Sequence, residues 1–172
     1  MIYKGSEKIE DVYIGSTQIK EAYKGSTLVY SNKLPAGIIL FESGTPGTYT
    51  INVSKKCTIR LDMCGGGGNG FLYSGGSSGY IYGNTEIGAG TYEVVVGSLG
   101  GGSSSFNENI AGGGGNAGNH SDGSGGVCTV VSTGLTGSNG SSGSTTSRIL
   151  SYGGGGDRAS FGQTGYCKII TV

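Results

Sequence analysis

Three times in this chain a strand-like run empties into glycine with no intervening linker. TIRLDMC (58–64) passes into GGGGNG (65–70), TYEVVVG (91–97) into SLGGGSSS (98–105), and SRILSY (147–152) into GGGGD (153–157). Glycine carries no side chain to bury, and ordering its backbone costs more than for any other residue, roughly 1–2 kcal/mol or above. A tract set directly on a strand is therefore either loose filler or a second ordered structure stabilised by main-chain hydrogen bonds. With 39 glycines, 2 prolines and no Gly-X-Y period, collagen is excluded. Eleven tyrosines, four phenylalanines and frequent Ile, Val and Thr are the wrong composition for a disordered linker. The remaining reading is an ordered glycine-rich β protein. In it the tracts form left-handed, polyproline-II-like glycine helices, about three residues per turn, that bond to one another.

Residues 2–30 repeat at a period of ten: IYKGSEKIED, VYIGSTQIKE, AYKGSTLVYS. Tyr3, Tyr13 and Tyr23 align, as do Gly5, Gly15 and Gly25, Ser6, Ser16 and Ser26, and Ile9, Ile19 and Val29. Each unit reads as strand, Gly-Ser turn, strand. Such hairpins bury too little apolar surface to stand alone. The repeat is therefore expected to serve attachment or oligomerisation, with the aligned tyrosines and aliphatic residues as its contacts. Residues 31–37 read as a linker, dividing the chain into a 1–33 β-repeat segment and a 34–172 glycine-rich domain.

Within the larger part, strands are expected at 38–42, 48–53 and 57–64, with turns at 43–47 and 54–56. Further strands are expected around 80–96, with turns at 83–84 and 88–90, and at 126–133, 147–152 and 166–172. No segment has a 3.6-residue apolar period with caps, so essentially no α-helix is expected.

Net charge is zero and 13% of residues are charged, which gives no electrostatic basis for binding nucleic acid. No apolar run is long enough to cross a bilayer as a helix, and the N-terminus lacks a signal-peptide core, so no membrane insertion is expected. Cys57, Cys64, Cys128 and Cys167 contain no CxxC pair. They read as small buried hydrophobes, and spacing alone does not choose among three disulfide connectivities. Gly65, Gly67 and Gly70 match G-x-G-x-x-G, but FLYSGGSSGY after them cannot supply the helix that the dinucleotide fingerprint requires. His120 is the only histidine and sits beside Asp122 in one loop. That is too few ligands for calcium and no rigid triad, so neither metal, cofactor nor catalytic residue is expected.

The order PGTYTINV, strand, GGGGNG, GTYEVVVG, GGGSSSF, GGGGNAG, GGGGD and GQTGYCKIITV resembles the glycine-rich domain of phage tail-fibre and receptor-binding proteins. The likeness covers residues 41–172. The N-terminal repeat resembles virion-attachment segments of phage baseplate and tail proteins. Many relatives carry a tryptophan before the first glycine run, where this chain has Met63-Cys64. The resemblance implies an all-β fold: a β-sandwich carrying bundled polyglycine-II-like helices. It further implies a virion-borne, homotrimeric adhesin, held by a baseplate or tail protein and recognising a bacterial surface glycan or protein. The alternative is a structural tail protein without receptor binding. Rings stack on sugars, and amides and carboxylates fix hydroxyls. On that ground Phe71, Tyr73, Asn119, His120, Asp122, Asn139 and Arg158 are the expected ligand contacts. Phe106 and Phe161, each near a strand, are expected to plug the scaffold. No pair of carboxylates can be placed in one cleft, which argues against a depolymerase.

Overall fold

The computed structural model describes residues 2–4, 7–9, 12–14, 16–24, 26–149 and 151–172. Its regular structure is all β, without α-helix among the described residues. The repeat forms three separate two-stranded antiparallel hairpins: β1 (Ile2–Lys4) with β2 (Glu7–Ile9), β3 (Val12–Ile14) with β4 (Thr17–Ile19), and β5 (Glu21–Lys24) with β6 (Thr27–Ser31). The expected turn residues Gly5, Ser6, Gly15 and Gly25 lie outside the described residues, as do the side chains of Tyr3, Ile9, Tyr13 and Val29. Tyr23 is exposed and donates its hydroxyl to Glu21 Oε2 at 2.8 Å.

Two five-stranded antiparallel sheets form the sandwich. The remaining strands are β7 (Ile39–Ser43), β8 (Gly47–Val53), β9 (Cys57–Cys64), β10 (Tyr80–Ile87), β11 (Gly90–Val96), β12 (Ser104–Phe106), β13 (Asn109–Ala111), β14 (Cys128–Thr129), β15 (Leu135–Ser138) and β16 (Tyr166–Thr171). One sheet runs β15-β10-β9-β16-β7 and the other β14-β13-β12-β11-β8. Alternation decides which side chains meet between them. Cys57, Ile59, Leu61 and Met63 of β9 point inward and join Ile81, Ile87, Cys167 and Ile169. Opposite lie Ile51, Val53, Val94, Val96, Phe106 and Ala111. Phe106 fills the core as expected, with its ring 5.7 Å from that of Tyr92. All four cysteines are free thiols.

Several expectations are corrected. Gly83-Asn84 is not a turn, because β10 runs straight through it. There, Gly83 has φ 134° and lies so close to β15 that a Cβ would overlap the Gly134 carbonyl oxygen. Among the described residues of 147–152 there is an isolated bridge, Ile149 to Tyr152, in place of the expected strand. The hairpin β12–β13 and the strand β15 add to the strands that the sequence pattern predicts.

Between the strands, the glycine tracts form a bundle of rods. The register of their hydrogen bonds reveals their conformation. Gly65 and Gly68 donate N–H to the carbonyls of Gly79 and Gly76, at 3.3 and 3.0 Å. Gly67 and Gly70 donate to Gln163 and Ser160, at 2.8 and 2.9 Å. Gly112, Gly115 and Gly118 donate to Val127, Ser124 and Ser121, and Gly140 and Gly143 to Gly126 and Gly123. In each set donors three residues apart face the same neighbour. That is the repeat of a helix with about three residues per turn and no internal hydrogen bonds. Gly114 and Ala117 donate to Gly66 and Asn69 in ascending order, so those two rods run parallel, whereas the 65–70 and 74–79 rods are antiparallel. Gly65–Gly68, Gly75–Gly79 and Gly153–Gly156 are buried.

Candidate functional site

Each rod leaves the sandwich, turns, and returns. The turns between paired rods therefore gather at the end remote from the sheets. A rise of about 3.1 Å per residue puts the 70–74 turn about 15 Å beyond the end of β9. Three turns that carry rings or charges meet there, 70–74, 117–122 and 157–161, and the 142–143 turn lies against Asp122 of the second.

Hydrogen bonds tie these loops into one surface. The Ala159 N–H donates to the Phe71 carbonyl at 2.8 Å, and the Gly70 N–H donates to that of Ser160. Ser74 bridges the other two loops: its N–H donates to Asp122 Oδ1 and its hydroxyl to Asp157 Oδ1, each at 3.1 Å. Asp157 Oδ1 also accepts the Arg158 N–H at 2.8 Å. Those donors, the Arg158 N–H first, hold the Asp157 carboxyl below its ordinary value. Gly118 donates to the Ser121 carbonyl and closes the turn that carries Asn119 and His120.

The tip is aromatic and open. Phe71 is 56% exposed, Leu72 57%, Tyr73 38% and Phe161 77%. Asn119, His120, Asp122 and Arg158 are exposed around them. Of the seven expected contacts, Phe71, Tyr73, Asn119, His120, Asp122 and Arg158 thus lie on the three gathered turns. Asn139 does not. It sits at the base of the bundle, where its Oδ1 accepts the Cys128 N–H at 2.9 Å and its carbonyl accepts Arg148 Nη2 at 3.1 Å.

Phe161 was expected to plug the scaffold. It does the reverse: it lies exposed on the 157–161 turn, next to Gly162, whose N–H donates to Asn69 Oδ1 at 3.1 Å. Leu72 joins the expected contacts at the tip, and its place in FLY between two glycine tracts is the sequence signal for it. The tip combines flat ring faces, fixed carboxylates, an amide, an imidazole and a guanidinium on a hydrogen-bonded frame. Such a surface can stack and hydrogen-bond a ligand, its loops already held before contact. Among the described residues no group of three or more His, Cys, Asp or Glu could hold a metal ion. Residues 71–79 form a turn and a rod, so Gly65, Gly67 and Gly70 are not followed by a helix.

No protein-family model and no curated protein matches this chain.

Proposed function

We propose that the chain is a phage tail-fibre or baseplate adhesin. The 1–33 repeat attaches it to a baseplate or tail protein, as a homotrimer, and the tip of the glycine bundle recognises a glycan or protein on the bacterial surface. It acts as part of the virion and catalyses no reaction. The observation that carries this reading is the convergence of three ring- and charge-bearing turns, 70–74, 117–122 and 157–161, at the end of the bundle far from the sandwich. The sequence likeness to tail-fibre glycine-rich domains supports it.

Binding of the full chain to a panel of bacterial cells tests it. Phe71→Ala and Tyr73→Ala should each reduce cell binding about tenfold, equivalent to about 1.4 kcal/mol, with the fold intact by circular dichroism. Undiminished binding in both variants contradicts the assignment of the tip. A chain that binds no cell but still incorporates into tail particles is a structural tail protein instead.

A further inference from the structure

The outer face of the β15-β10-β9-β16-β7 sheet carries two tyrosine–carboxylate–cation sets. In the first, Tyr80 donates its hydroxyl to Asp62 Oδ1 at 3.0 Å, while Arg60 Nε donates to Asp62 Oδ2 at 3.0 Å. In the second, Tyr166 donates to Glu42 Oε1 at 2.6 Å, while Lys168 Nζ lies 3.0 Å from Glu42 Oε2. Strand register places Tyr82 opposite Asp62, Asp62 opposite Lys168, and Lys168 opposite Glu42. These four residues form one row across four strands. Three strand spacings of about 4.8 Å make the row about 14 Å long.

The Tyr82 ring stands at one end of the row, 41% exposed and stacked on Tyr80 with centroids 5.1 Å apart. Asp62, beside it, is mostly covered (17% exposed), and Lys168 and Glu42 are open at 32% and 38%. The ring offers a flat face to C–H groups. The carboxylates are fixed acceptors, and the arginine and lysine are fixed donors. Within the two sets two acids balance two bases, so the row itself has no surplus charge to draw an ionic polymer. Its exposed aliphatic neighbour, Ile39, pairs with Ile170 at the Lys168–Glu42 end of the row, away from the Tyr82 ring. Hydroxyl groups both donate and accept, and a pyranose presents them beside an apolar C–H face. Paired, mutually oriented donors and acceptors next to an aromatic ring match that chemistry.

We propose that the row Tyr82, Asp62, Lys168 and Glu42, with Arg60 at its side, is a second contact surface, for an uncharged oligosaccharide. It lies on the sandwich, separated from the tip by the length of the rods, and does not depend on what the tip binds.

The test is an array of uncharged hexose oligosaccharides, with sialylated and uronate-containing glycans alongside, probed with the full chain. The expected result is retention of uncharged oligosaccharides that falls about tenfold in Tyr82→Ala. Tyr82→Leu should fall equally, since it keeps bulk but loses the ring, and Arg60→Ala should weaken retention. Thr50→Ala, on the other sheet, should leave it unchanged. Three outcomes overturn the proposal: no uncharged oligosaccharide retained, retention equal to the parent chain in both Tyr82 variants, or retention abolished by Tyr73→Ala and untouched by Tyr82→Ala.

Discussion

Gly114 lies so close to Gly76 that a Cβ on Gly114 would overlap the Gly76 carbonyl oxygen. The two belong to neighbouring rods that are joined on either side by Gly76 N–H to Gly115 (2.9 Å) and Gly79 N–H to Gly112 (2.8 Å). Backbone blocks the missing side chain, so no rotamer change can relieve the overlap. Gly114→Ala should therefore destabilise the chain by about 3 kcal/mol, the upper end of what overpacking costs. Gly88→Ala is the matched control, since its Cβ would meet only the Tyr92 hydroxyl at 3.8 Å. It should change stability by less than about 0.5 kcal/mol. Urea denaturation of both variants measures the difference.

The buried thiols give a second prediction. Desolvation raises the Cys64 thiol to about 12 and pushes Cys167 up as well. An unfolded cysteine ionises near 8.5, so above that pH the unfolded chain releases protons that the folded chain retains. The thiols' contribution to stability is full below pH about 8.5 and declines as pH rises towards the folded values. Tyr80, also raised to about 12 by burial and its bond to Asp62, adds to the decline above pH about 10, where a free tyrosine ionises. Between pH about 8.5 and 10 the slope belongs to the thiols, and Cys64→Ala should flatten it. Ellman's reagent should leave Cys57, Cys64 and Cys167 unreacted in the folded chain and count four thiols after unfolding. A slope identical in the Cys64→Ala variant would remove Cys64 from the explanation and leave it to Cys57, Cys128 and Cys167, whose thiols burial also raises.

At the tip, Ala159 has φ 54°, a left-handed conformation that a Cβ disfavours by about 1 kcal/mol or more. Its N–H bond to the Phe71 carbonyl and the Ser160 N–H bond to Asp157 hold it there. Ala159→Gly should stabilise the chain by up to about 1 kcal/mol, the relieved strain exceeding the added freedom of the unfolded chain. A small rise in Tm checks it, and a fall would show that the left-handed conformation is not occupied in solution.

Much of the scaffold was legible because apolar alternation is a strong signal. The Cys57–Cys64 strand was expected with its observed limits, and its direct passage into Gly65 pointed to the rods. The β12–β13 hairpin escaped because its inward positions include polar residues. Ser104 Oγ is buried, accepting the Gly97 N–H at 2.9 Å and donating to the Cys64 carbonyl at 2.7 Å. Asn109 is buried too, and its amide donates to Phe106, Asn107 and Ser132. Buried hydrogen bonds replace apolar contacts there, so no alternation appears in the sequence. β15 reads Leu-Thr-Gly-Ser and was masked by its polar surroundings in the same way. The gathering of Phe71, Tyr73, His120 and Arg158 at one end depends on which rods neighbour which, and that is set by close approaches between backbones rather than by side-chain pattern. Asn139 resembles the tip residues in sequence but lies before a rod begins, and so falls at the base.

The central claim is that the glycine tracts are ordered rods bonded main chain to main chain. Hydrogen exchange on the full chain, resolved to short peptides, tests it most directly. Amides of 65–70, 75–79 and 112–115 should exchange as slowly as those of β9 and β10, while those of 72–73 and 119–120 exchange within seconds. Exchange of 65–79 and 112–126 throughout at the rate of an unstructured peptide would contradict the account.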